Sequence, residues 1–222
     1  MDAVIFDCDG VLVDSEVIAL RVELAALAEI GLHYERHAFA ERFLGQTNAT
    51  FHAGLNDDHL AQFGKPLPDK FGEQLAARIW AEMAGQADAV AGTRDVVHGL
   101  STLKAVASSS SVYRLEHKLR HVDLFDAFAP HVYSGESVAR GKPWPDLYLF
   151  TAAKLCVDPR ACAAVEDSVN GVRSAVAAGM TAVGFTGGGH CSPNLTALLK
   201  DAGAVQVACD MPALAEILRG MS

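Results

Sequence analysis

Asp7 and Asp9 stand one residue apart in "VIFDCDGVLVDSE", residues Val4 to Glu16, directly after an apolar run. Two carboxylates about 4 Å apart repel by about 4 kcal/mol at an effective dielectric near 20, so such a pair at the end of a core strand needs a compensating charge. Three later stretches carry groups of the same kind: "ASSSS" with Ser108 to Ser111, "GKPWPD" with Lys142, and "VEDSVNG" with Glu166 and Asp167. Four carboxylates brought to one place would invite a cation, and an all-oxygen donor set of this hardness suits magnesium. Lys142 is a second source of positive charge. Taken singly, each stretch also has a plain structural reading. Asp9-Gly10 could be a turn, the serines a loop with a helix N-cap, Lys142 a solvated lysine, and Glu166-Asp167-Ser168 the first turn of a helix. A calcium loop does not fit, because Val11 and Leu12 stand where that pattern needs an Asp or Asn and a Gly.

The elements around these residues decide whether they can meet. Ala3 to Phe6 reads as a buried strand. From Gly92 onward short apolar runs alternate with amphipathic helices, in "LKAVASSSS", "HVYSGES", "RACAAVEDS", "MTAVGFTGG" and "AVQVACD". That alternation predicts an α/β fold with a Rossmann-like parallel sheet flanked by helices. Residues from about Asp14 to Ala87 read instead as helices, with apolar residues at helical spacing and a stop at Gly31. A lone strand cannot stand against an all-helical segment, so the first strand belongs to the later sheet. The expected organisation is a core of residues 1–13 and 90–222 with a helical cap, 14–89, inserted after the first strand. In open α/β sheets ligands bind beyond the carboxyl ends of the strands, and each of the four stretches follows a predicted strand.

Composition narrows the setting. The chain has 222 residues, half of them hydrophobic and 20% charged, with a formal net charge of −9 and no basic stripe, so a nucleic-acid partner is not expected. No apolar stretch is long enough for a bilayer, no basic leader precedes the first strand, and a cytoplasmic location is the expectation. Five scattered cysteines, Cys8, Cys156, Cys162, Cys191 and Cys209, form no C-x-x-C and read as reduced thiols. The histidines His52, His59, His117, His121, His131 and His190 show no ligand spacing. Gly187 to Gly189 lack the context of a dinucleotide-binding turn.

"DCDGVLVDS", "ASSSS", "GKPWPD" and "VEDSVNG" resemble, in order, the four motifs of the haloacid dehalogenase superfamily, and more narrowly its capped phosphatase branch, which holds sugar-phosphate phosphatases, phosphoglycolate phosphatase and β-phosphoglucomutase. The resemblance implies a magnesium-dependent phosphatase acting on a small phosphate ester. Asp7 would be the nucleophile and Asp9 the general acid and base. Lys142 would neutralise Asp7 and the phosphoryl oxygens, which Ser108 and the amide of Ser109 would also bind. The metal would rest on the Asp7 side chain, the Asp9 main-chain carbonyl and Asp167, with Glu166 bound directly or through water. Gly45, Gln46, Thr47 and Asn48 in the cap are the candidates for reading the leaving group, and chain crossings at Val11 to Ser15 and Ala84 to Gly92 would let the cap open and close.

Competing readings are separable. Dehalogenases of the superfamily lack the second aspartate, so Asp9 favours an ester over a halide. A mutase of the β-phosphoglucomutase type would need basic residues where Leu44 and Asn48 stand and a cap histidine where Ala19 stands. A receiver-type phosphoacceptor module shares an acidic pair, a hydroxyl and a lysine, but is shorter and has no helical insertion. Cys8 has no neighbouring histidine to make it a nucleophile, and the alternation beyond the strand turns it toward the core.

Overall fold

The computed structural model describes residues 1–43, 48–189 and 194–221. Its first apolar run becomes β1 (Ala3–Phe6), every residue of which is fully buried. Four helices follow: α1 (Ser15–Glu29), α2 (Arg36–Phe43), α3 (Asn48–Phe63) and α4 (Phe71–Gln86). The remainder alternates: α5 (Thr93–Gly99), β2 (Leu103–Ser108), α6 (Val112–His121), α7 (Phe125–Phe128), β3 (Val132–Ser134), α8 (Asp146–Leu155), β4 (Cys162–Glu166), α9 (Val169–Ala177), β5 (Thr181–Phe185), α10 (Leu195–Asp201), β6 (Gln206–Ala208) and α11 (Met211–Gly220).

The strands form one parallel sheet in the order β3-β2-β1-β4-β5-β6. The fold is the expected Rossmann-like α/β sheet with helices against it. Such a sheet is buried on both faces, which is why its strands read as continuous apolar runs without alternation. On one side Ile5, Ala105, Ala107 and Ala164 pack with Leu147, Tyr148 and Ala152 of α8 and with Val172 and Ala175 of α9. Small residues in the strands let these helices approach closely.

The chain divides into two compact units, Met1–Glu16 with Ala87–Ser222, and Val17–Gln86. The second has its own core. Phe39, Phe43 and Phe51 pack ring on ring at centroid separations of 4.9 to 6.1 Å, with Tyr34 edge-on to Phe39 at 5.2 Å. Gly31, at φ 88°, ends the segment of α1 in the left-handed region that glycine tolerates best. Within the first unit the outgoing and returning segments pair: Val13 bridges Ala89 antiparallel, the Asp14 amide donates to the Asp88 carbonyl at 2.9 Å, and Val90 donates to Leu12 at 3.0 Å. Among the described residues no helix is long and apolar enough to cross a membrane.

Candidate active site

Strand register assembles the site. Phe6 lies level with Val106 on β2 and Val165 on β4, so Asp7, just past β1, and Ser108 and Glu166, the last residues of β2 and β4, stand at the same edge of three adjacent strands. β1 is the middle strand, and the Asp7 amide extends its pairing by donating to the Val165 carbonyl at 3.0 Å. After Asp9 the chain turns sharply. Gly10 has φ 74°, and the Leu12 and Val13 amides both donate to the Cys8 carbonyl at 2.9 Å. A side chain at position 10 would be strained in that conformation. Cys8 is fully buried, and burial pushes its thiol well above the ordinary range, which disfavours the thiolate.

Asp7 is buried, and its carboxylate accepts from the Lys142 ammonium at 2.8 Å. That ammonium also donates to the Ala107 carbonyl at 2.9 Å and lies 2.5 Å from Glu166. Burial raises the Asp7 carboxyl to about 7, with Glu166 and Asp9 adding to the rise and Lys142 opposing it. Burial works against the charged form of Lys142, but Asp7 and Glu166 outweigh it and hold the ammonium above its usual range. Glu166 is fully buried and receives three donors: Lys142, the Tyr148 hydroxyl at 2.6 Å and the Ser168 hydroxyl at 3.2 Å.

Asp167 is buried beside this group, and Asp7, Glu166 and Asp167 can bring carboxylate oxygens within 4.8 Å of one another. Three buried, hard oxygen donors at that spacing fit a divalent cation. The plain readings of the flanking serines also hold. Ser168 caps α9 by accepting from the Gly171 amide at 3.0 Å, and Ser111 caps α6 by accepting from the Arg114 amide at 3.4 Å.

On the other side of Asp7, Ser108 is buried and its hydroxyl accepts from the Ser110 amide at 3.1 Å, while Ser109 is exposed at the strand edge. Asp9 is held by Ser110 of the serine run and by Lys118 and Ser15, whose contact with it motif reading did not foresee. Both of its oxygens accept from the Lys118 ammonium, at 2.5 and 2.6 Å; the Ser110 hydroxyl donates to one at 2.9 Å and the Ser15 hydroxyl to the other. Burial alone would raise the Asp9 carboxyl, but the Lys118 charge and the hydrogen bonds from Lys118, Ser15 and Ser110 hold it below the usual range. Lys118 was legible only as a helical-face position. It follows Leu115 by three and precedes Leu119 by one, within the buried stripe of α6.

Asp7, Asp9, Ser108, Lys142, Glu166 and Asp167 therefore converge at one sheet edge. Gly45, Gln46 and Thr47 lie outside the described residues, and of Asn48 the structure describes only that it opens α3.

The comparisons with known proteins agree with this architecture. A family model for haloacid dehalogenase-like hydrolases matches residues 1–179. Hexitol phosphatase B of Escherichia coli K12 is 34% identical over 193 residues, covering 82% of each chain. The 6-phosphogluconate phosphatase of the same organism is 27% identical over 193 residues, covering 87% of this chain and 86% of its own. A solved haloacid dehalogenase family hydrolase from Deinococcus radiodurans, with bound phosphate and sodium, is 36% identical with a TM-score of 0.85, covering 100% of this chain and 96% of its own. The chain is an enzyme of the haloacid dehalogenase-like hydrolase family, with named phosphatases among its relatives.

Proposed function

We propose that the protein is a magnesium-dependent phosphomonoesterase for a small phosphorylated metabolite, a sugar or sugar-acid phosphate, and that it works through an aspartyl-phosphate on Asp7. The observation that carries this reading is the Lys142 ammonium lodged between the Asp7 and Glu166 carboxylates, with Asp167 adjoining. A carboxylate can attack a phosphate dianion only where fixed positive charge surrounds the transferring group. The curated relatives named for hexitol and 6-phosphogluconate phosphatase activity support the substrate class. The reading carries with it a cytoplasmic location.

Asp7, Asp167 and the Asp9 carbonyl would hold the magnesium ion, with Glu166 directly or through water. The ion would supply charge neutralisation for the phosphoryl oxygens. An Asp7 oxygen forms a bond to phosphorus as the ester oxygen departs, taking a proton from Asp9. Water then attacks the same phosphorus, gives a proton to Asp9, and releases inorganic phosphate with Asp7 restored. Throughout, Lys142 holds Asp7 in place and shares the charge of the phosphoryl group, which Ser108 and the Ser109 amide also bind. Glu166, gripped by Tyr148 and Ser168, fixes Lys142. In this reading the cap is the helical segment 14–89, and Gly45 to Asn48 select the leaving group.

The test is phosphate release from a panel of sugar and sugar-acid phosphates with and without magnesium, with Asp7→Asn as the control. The expected result is metal-dependent release, with kcat reduced at least about 10⁴-fold in Asp7→Asn. Undiminished turnover by that variant would remove Asp7 from the chemistry. A hexose 1-phosphate should yield free phosphate; accumulation of an isomer instead would establish a mutase.

A further inference from the structure

Lys118 is only 3% exposed, on a helix face otherwise made of leucines, and its ammonium has three protons to place. Among the described residues its hydrogen bonds all go to one point: the two oxygens of Asp9, and the Ser110 hydroxyl that itself donates to Asp9. Burying an ammonium is unfavourable until it is paired, and an apolar side chain between Leu115 and Leu119 would serve the packing of α6 better. The position therefore pays in stability for something other than packing.

We propose that Lys118 is a positioning residue that fixes the Asp9 carboxylate for proton transfer to and from the leaving oxygen. The two-oxygen grip sets the plane of the carboxylate, and Ser110 and Ser15 brace it from either side. When one oxygen turns to the ester, the other stays tied to Lys118, so the acid approaches the leaving group along one path. Lys142 has no part in this, because its contacts are Asp7, Glu166 and the Ala107 carbonyl. The inference rests on the phosphatase reading and deepens it by dividing the two buried lysines between two tasks.

Leaving-group dependence separates this role from general structural support. An alkyl phosphate needs its departing oxygen protonated, whereas p-nitrophenolate leaves readily without a proton. Wild type, Lys118→Met and Lys118→Arg are compared on an alkyl sugar phosphate and on p-nitrophenyl phosphate with magnesium present. In Lys118→Met the ratio of the alkyl to the aryl kcat should fall about 10²-fold, with KM for both esters changed much less, and Lys118→Arg should recover part of that ratio. If Lys118→Met does not fold, Ser110→Ala decides the matter, since it removes the shared hydroxyl and keeps both charges; the ratio should fall in the same direction by a smaller factor. Equal loss on both esters, or an unchanged ratio, in the folded variant overturns the inference while leaving the phosphatase reading intact. A wild-type enzyme inactive on every phosphate ester overturns that reading and this inference with it.

Discussion

Two buried lysine–aspartate pairs flank the first strand, and they are built differently. Lys142 reaches Asp7 from the loop after β3 and is shared with Glu166 and a backbone carbonyl, so one cation serves two carboxylates. Lys118 reaches Asp9 from within a helix and serves that carboxylate alone, with a serine beside it. The two carboxyls shift in opposite directions: burial raises Asp7 to about 7 against the pull of Lys142, whereas Lys118 and the hydrogen bonds from Lys118, Ser15 and Ser110 overcome burial and hold Asp9 below its usual range. Two aspartates separated by one residue thus pair with separate cations.

The largest break in this comparison should come from Lys142→Met. It strands Glu166, fully buried, without its cation, at a cost of about 3–5 kcal/mol in urea-induced unfolding. It should also lower kcat by about 10²–10³-fold. A variant of wild-type stability would show that Tyr148 and Ser168 suffice to hold Glu166, and the contrast with Lys118 would lose its basis.

Gly171→Ala attacks the same side without removing a charged group. A Cβ there would overlap the Glu166 carboxylate, so a loss of about 1–3 kcal/mol is expected, with reduced turnover as Lys142 is displaced. Gly135→Ala is its counterpart on the Ser109 side. Its Cβ would meet the Ser109 Cα at 3.5 Å, an ordinary contact, and thermal melting should register a change within about 0.5 kcal/mol.

The two serine caps form a matched pair, one as large as the Gly171 effect and one as small as that of Gly135. Ser168→Ala removes the cap of α9 and one donor to Glu166 together, and should cost about 2 kcal/mol. Ser111→Ala removes a longer cap bond from α6, whose first amide, Val112, stays on the Glu136 carboxylate at 2.9 Å; about 0.5 kcal/mol is expected. Equal losses in denaturant melts would mean that the donor to Glu166 adds nothing.

The sheet was legible because a parallel strand buried on both faces leaves a continuous apolar run, and the polar residue that ends each run marks the strand's carboxyl end. Asp7, Ser108 and Glu166 were therefore readable in the sequence as groups at one sheet edge, and the loop motif supplied Lys142. Lys118 was not, because a lysine on an amphipathic helix reads as solvated unless its angular position is compared with Leu115 and Leu119, and even then its partner lies 109 residues away. Tyr148 was hidden differently: in "DLYLF" it reads as one more core aromatic, and its hydroxyl matters only because α8 packs beneath Glu166.

The paired segments at Val13 and Ala89 have a consequence for how such a protein can change over time. The Asp14 amide donates to the Asp88 carbonyl, so the core lets go of the chain and takes it back one hydrogen bond apart. Between these paired ends the chain is a loop whose closure entropy rises by only about 0.6 kcal/mol for each doubling of length. Shortening or enlarging that stretch therefore changes the entropic cost of closure only slightly, and the pairing of Val13 with Ala89 can persist through such changes.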